Sequence, residues 1–337
     1  MTKEKAKHGK AAGWSLGSLA VLALALKAGW VVYSKRYIDH HAKVNLLLEA
    51  EHHTFESDTV GKINYYESKV ESKQTPILLV HGVHLYAGGH DMVPVFEAFS
   101  AYRKVYVIDL PGFGGSEKSD RPYRPVLYLA AISEFIRDRI GQPVHVVVMG
   151  QSAEFVAMAD EQDAGLFKSI VMIDPSGMQM PHTGHISESK WWEQFLNLGL
   201  SYLKVPLWSL PFYDLLASRS CVLDYYRKRF TYTPPSDLVD LAYTSAHQPG
   251  AHFAPIVHYC GKLSVPDVRT KYYEKMNKPI LVVFDNDPKH KFDMLPMLVR
   301  EHANWQAFRS SHTRGMPHFE NPGETFRSIE TFWKQHD

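Results

Sequence analysis

The segment Gly150-Gln151-Ser152-Ala153-Glu154 follows directly on the apolar run Val144–Met149. A serine on a sharp strand-to-helix turn is held above its sheet, where its hydroxyl can attack a carbonyl. The helix that follows places N–H groups and a partial positive charge beside the developing oxyanion. The pattern fits Gly-x-Ser-x-Gly except at its last position, where Glu154 stands; a serine that merely caps a helix is the alternative. Such a nucleophile needs an imidazole base oriented by a carboxylate, and this topology orders them Ser, Asp, His along the chain. Asp287, in Asp285-Asn286-Asp287-Pro288, is the expected acid, with Asp285 next and Asp174 third. His318, in Pro317-His318-Phe319-Glu320-Asn321-Pro322, is the expected base, and His312 the alternative. In His81-Gly82-Val83-His84 the glycine lets the backbone approach closely. The N–H groups of Val83 and Ala153 are the expected oxyanion donors. His81, Gly82, His84, Gln151, Glu154 and His312 are expected to line the site. A metal reading of His81, His84, His90 and Asp91 lacks a ligand spacing, so neither a metal nor an organic cofactor is expected. The glycines of Asp109–Ser116 lead into no Gly-Lys-Ser/Thr and read as a tight turn rather than a phosphate cradle.

The elements that must position these residues are legible as alternation. Residues 76–82, 104–110, 143–150, 168–174 and 278–284 are short, continuous, β-branched runs. Parallel strands covered on both faces read this way. Helical patterns over 91–101, 126–140 and 152–163 lie between them, and 322–335 reads as a closing helix. An antiparallel hairpin is expected over 53–68. Together these predict an α/β fold with a doubly wound, mostly parallel sheet. The alternation stops between 178 and 275, an aromatic-rich stretch read as a helical cap over the carboxyl ends of the strands. The expected divisions are thus a tail and anchor over 1–36, a core over 37–177, the cap over 178–275 and the rest of the core over 276–337.

The amino terminus reads differently. Lys3, Lys5, Lys7 and Lys10 precede a stretch over 11–34 whose only charge is Lys27. As a helix those 24 residues reach about 36 Å, enough for a hydrocarbon core of about 30 Å. Trp14, Trp30 and Tyr33 lie near the ends, where interfacial aromatics belong. A single-pass membrane anchor is expected, with a cleaved signal and a helix packed on the domain as alternatives. The flanking charges lean weakly to a soluble domain on the non-cytoplasmic side. Over all 337 residues, 37 Lys and Arg balance 36 Asp and Glu. That balance excludes the basic footprint of a sequence-independent nucleic-acid binder. Two cysteines, Cys221 and Cys260, are too few for a disulfide framework.

In this order the strand-His-Gly segment, Asp109-Leu-Pro-Gly-Phe-Gly-Gly-Ser116, the Gly-Gln-Ser-Ala-Glu-Phe elbow, the Asp-Asn-Asp-Pro acid and the His-Phe-Glu-Asn-Pro tail resemble the α/β-hydrolase superfamily. The resemblance covers roughly 53–177 and 276–337. More narrowly, the chain resembles little-characterised bacterial members with a Ser-x-Glu-Phe elbow. It implies a serine hydrolase acting on a small-molecule carboxylic ester, apolar or lipid-like, through Ser152, His318 and Asp287. An acyltransferase or carbon–carbon hydrolase on the same triad, or an inactive binding protein, are the alternatives. Two residues depart from the family pattern. Glu154 stands where Gly or Ala is usual, and the family's spacing from its histidine to the Glu-x-Pro segment lands on Gly315.

Overall fold

The computed structural model describes residues 16–42, 44, 50–180, 205 and 207–336. The expectations resting on Lys3, Lys5, Lys7, Lys10 and Trp14, and on the cap over 181–204, lie outside the described residues.

Eight strands form one sheet: β1 (Ala50–Ser57), β2 (Gly61–Ser68), β3 (Ile77–Val80), β4 (Val105–Ile108), β5 (Val144–Met149), β6 (Phe167–Ile173), β7 (Ile280–Phe284) and β8 (Trp305–Arg309). Their spatial order is β1-β2-β4-β3-β5-β6-β7-β8. β1, β2 and β4 pair antiparallel, the rest parallel. β5 is buried along its whole length. Successive side chains point to opposite faces, so Val146 and Val148 enter one core beside Tyr128 and Phe155, while Val147 and Met149 enter the other beside Phe96 and Trp333. Each fully buried valine contributes about 1.5–3 kcal/mol, and neither face of such a strand tolerates a polar residue at no cost.

The covering helices are α2 (Val93–Phe99), α3 (Pro125–Glu134) and α4 (Ser152–Gln162). Between β6 and β7 the described residues form helices only: α5 (Ser209–Leu216), α6 (Arg219–Arg229), α7 (Ser236–Ala246), α8 (Phe253–Tyr259) and α9 (Val268–Lys271). Past β7 come α10 (Leu295–Glu301), α11 (Pro317–Glu320) and α12 (Pro322–Lys334). The glycine-rich turn after β4 is knotted around one carboxylate. Asp109 accepts from the N–H groups of Gly89 and Gly115, at 2.7 and 2.8 Å, and from Asn64 Nδ2 at 2.7 Å. Cys221 is exposed and Cys260 buried.

The amino-terminal helix α1 (Leu16–Tyr37) lies against the cap. Trp30 meets Phe212 of α5 with ring centroids 6.0 Å apart, and Lys27 Nζ sits 4.3 Å above the Trp208 ring. Among the described residues no helix is long and apolar enough to cross a membrane, which does not bear out a spanning segment over 11–34.

Candidate functional site

The turn from β5 into α4 is where the sheet offers a residue to a ligand. The residue that takes the left-handed conformation there is Gly150, at φ +57°; Ser152 is already the first residue of α4. That placement reverses the expected exposure. Ser152 is fully buried, and its hydroxyl donates to the His81 carbonyl at 2.7 Å. A Cβ built on Gly150 would find open room, its nearest neighbour being His290 Cε1 at 3.7 Å.

The other expected triad members are likewise engaged elsewhere. His318 is fully buried, and its Nε2–H donates to the Asp91 carbonyl at 2.7 Å. Burial pushes its pKa down to about 4. Asp287 accepts from the N–H groups of Lys289 and His290 at 2.5 and 2.8 Å, and its second oxygen pairs with Arg229 Nη2 at 2.8 Å. The structure therefore does not bring Ser152, His318 and Asp287 into one hydrogen-bonded chain. His312 is exposed, at φ +61°. Of the runner-up acids, Asp285 accepts from Gly315 N at 2.6 Å, and Asp174 accepts from Asp285 N at 3.1 Å.

Arg229 comes from the last turn of α6 and is buried. Besides Asp287 it donates to the Gly315 carbonyl at 2.9 Å. A Cβ on Gly315, itself at φ +103°, would stand 2.8 Å from Asp287 Oδ2 and 3.3 Å from Arg229 Nη2. Gly315 thus occupies the place beside the acid from which an imidazole would reach it, and a guanidinium fills the space.

Of the expected oxyanion donors, the Ala153 N–H is engaged with the Gly150 carbonyl at 3.3 Å. Neither Ala153 nor Val83 is among the residues lining the large cavity here; their neighbours Gln151 and His84 are. His81 is a buried structural residue: its Nδ1–H donates to the Gly82 carbonyl, and Leu110 N donates to its Nε2. Burial holds it neutral. His84 Nε2–H donates to Asp91 at 2.8 Å, and its ring stacks on Tyr225 at 4.7 Å.

Glu154 finds its room by tying the cap to the core. The Ser176 hydroxyl donates to one carboxyl oxygen, and Val265 N to the other at 2.7 Å. Burial pushes its pKa up to about 7 against these two bonds.

The cavity measures about 520 Å³ and lies between α4, the β7–α10 segment and the cap. Glu154, His258, Lys289 and His290 line it together with His84 and Gln151. Sequence reasoning missed Gly150, Arg229, His258, Lys289 and His290. The mismatched Glu154 and the register landing on Gly315 were the available signals.

A family model described as Alpha/beta hydrolase family matches residues 77–328. No curated protein matches the chain. Among solved structures it is similar to a membrane phospholipase A described as a bacterial virulence factor, at 19% identity over 94% of this chain and 96% of that one, with a TM-score of 0.63. It is also similar to a putative lipase from Acinetobacter baumannii (16% identity, 96% and 98% covered, TM-score 0.65) and a putative aryl esterase from Burkholderia cenocepacia (12%, 85% and 99%, 0.64). At these identities the likeness is one of fold.

Proposed function

The chain belongs to the alpha/beta hydrolase family, and from that premise we propose that it uses the family's scaffold as a ligand-binding pocket under a helical cap, without acyl-enzyme chemistry at Ser152. The observation that carries this reading is the residue at the elbow: Gly150, not Ser152, takes the strained turn. A nucleophile must project into the cavity, and Gly150 has nothing to project. Ser152 instead fills the small-residue position two places on, its proton already directed to a carbonyl. The Gly315–Arg229 arrangement supports the same reading, because it leaves the acid neutralised by an arginine rather than orienting an imidazole.

A second reading is favoured by one contact. His290 Nδ1 lies 3.7 Å from Asp287 Oδ2, and the ring borders the empty space at Gly150. A histidine so placed would activate water directly, giving a small-molecule hydrolase with no covalent intermediate.

Activity-based labelling separates these readings from an ester hydrolase acting through Ser152. The wild-type protein is expected to resist a fluorophosphonate probe, and Ser152→Ala to change nothing. Turnover of p-nitrophenyl esters that survives Ser152→Ala but disappears in His290→Gln would favour water activation. Labelling of the wild type that vanishes in Ser152→Ala would restore the Ser152 triad and remove the binding-protein reading.

The reading also includes membrane association. On α1, Val21 and Leu24 are each 67% exposed, with Leu26 and Val32 also open to solvent. Lys35 and Arg36 follow in the last turn. Apolar side chains beside basic ones suit the lipid interface. The double variant Val21→Glu, Leu24→Glu is expected to move the protein from the membrane fraction to the soluble one on flotation; an unchanged distribution would rule this face out.

A further inference from the structure

We infer that the cavity recognises its ligand through an anionic group, a carboxylate or a phosphate, held between Lys289, His290 and His258; this rests on the binding reading above. The argument starts from which charges there already have partners. Asp287 is engaged by Arg229. Both oxygens of Glu154 accept hydrogen bonds. Asp91, below, is taken by His84 and by the Tyr226 hydroxyl at 3.0 Å. The cations are not so matched. Among the described residues neither Lys289 nor Lys291 has a carboxylate within 4 Å, and both line the cavity.

The histidines carry the same imbalance. His258 is pushed down to about 3, first by burial and then by Lys289, His84 and His290. His290 is pushed down to about 4 by burial, with Arg229 and Lys289 opposing its charge and Asp287 favouring it. Lys289 is itself lowered by burial and by Arg229, with Asp287 and Glu154 favouring its charge. Groups that suppress one another's charge this way are stabilised together by one anion placed among them. His290 Nδ1 is buried and has no hydrogen-bond partner. The cavity is far larger than a bare anion, and Leu85, Tyr225 and Tyr259 furnish apolar wall beside the polar Ser176, Gln179 and Ser264. An organic anion with an apolar body fits this lining.

Titration calorimetry of the full chain with benzoate, phenyl phosphate and neutral benzamide tests the inference. At least one anion is expected to bind ten-fold or more tightly than benzamide, and which one leads distinguishes a carboxylate from a phosphate headgroup. Lys289→Met and His290→Gln are each expected to cut that preference at least three-fold, with circular dichroism confirming the fold. Benzamide binding as tightly as both anions would overturn the anion assignment while leaving a ligand pocket. Absence of binding by all three to folded protein would overturn the assignment and the pocket reading together, whereas fluorophosphonate labelling lost in Ser152→Ala removes only the latter.

Discussion

Arg229→Met is expected to lower the stability of the fold by about 3–5 kcal/mol, the usual cost of removing one partner from a buried ion pair. Arg229 is 4% exposed and Asp287 3%. The guanidinium feels the charges of Asp287, Asp174 and Asp91, and two of its contacts, to Asp287 Oδ2 and the Gly315 carbonyl, are direct. Burial and the neighbouring carboxyls already hold Asp174 well above the usual carboxylate range. Without the arginine, the Asp287 carboxylate would lose its charge partner in the interior. Asp287→Asn alone is expected to cost a similar amount, because it strands the guanidinium instead. The double variant Arg229→Met, Asp287→Asn should recover much of the loss, since replacing a buried pair by neutral groups of like volume is often close to neutral. Urea midpoints at constant slope measure all three. If Asp287 were instead the acid of a working triad, removing the arginine would release it toward an imidazole at little cost. A loss below about 1 kcal/mol in Arg229→Met would therefore argue against the guanidinium as a structural plug.

The core strands were legible because burial on both faces leaves an unmistakable signature. Five continuous β-branched runs correspond to β3 through β7, and the hairpin to β1 and β2. β8 escaped for the converse reason: at the sheet edge, Trp305-Gln306-Ala307-Phe308-Arg309 shows its side chains partly to solvent and carries no apolar run. The elbow spacing points two residues past the left-handed turn, which the structure makes at Gly150. Gly-x-Ser-x-Gly spacing fixes on the serine, but a left-handed turn is most easily made by glycine, and Gly150 follows the strand directly. With the turn at Gly150, Ser152 becomes the small residue that lets helix and strand pack. Glu154 then ceases to be an anomaly and becomes a tie to the cap. Gly315 spoke in the same sense, since the family spacing pointed to it and not to His318. Arg229 could not be read at all: it lies 86 residues from the carbonyl it binds, and no local pattern marks a side chain reaching from the cap into the core.

Acidification from about pH 6.5 toward pH 4 is expected to destabilise the protein steeply, with buried histidines as the cause. His318, His252 and His290 are pushed down to about 4 and His258 to about 3, burial being the first cause of each. A histidine whose folded pKa lies below its unfolded value of about 6.5 binds fewer protons in the native state across that interval. Stability therefore rises with pH there and is lost as pH falls. At about 1.4 kcal/mol per unit, His318 alone accounts for roughly 3 kcal/mol by pH 4. It is also the group least able to escape, being fully buried with its Nε2–H on the Asp91 carbonyl. Glu154 acts with the opposite sign. Its folded pKa is raised to about 7, so the native state binds more protons than the unfolded chain between about 4.5 and 7, and its contribution falls as pH rises. Urea midpoints for the wild type, His318→Gln and Glu154→Gln at pH 4.5, 5.5, 6.5 and 7.5 separate the two. His318→Gln, whose amide still donates to the Asp91 carbonyl, is expected to flatten the acid limb by roughly 2 kcal/mol between pH 6.5 and 4.5. Glu154→Gln keeps an acceptor for Val265 N, and its stability relative to wild type should grow from pH 4.5 to 7.5. An acid limb unaltered in His318→Gln would mean that His318 takes up its proton in the native state by a local opening, and that the acid sensitivity resides in the pocket histidines His258 and His290 instead.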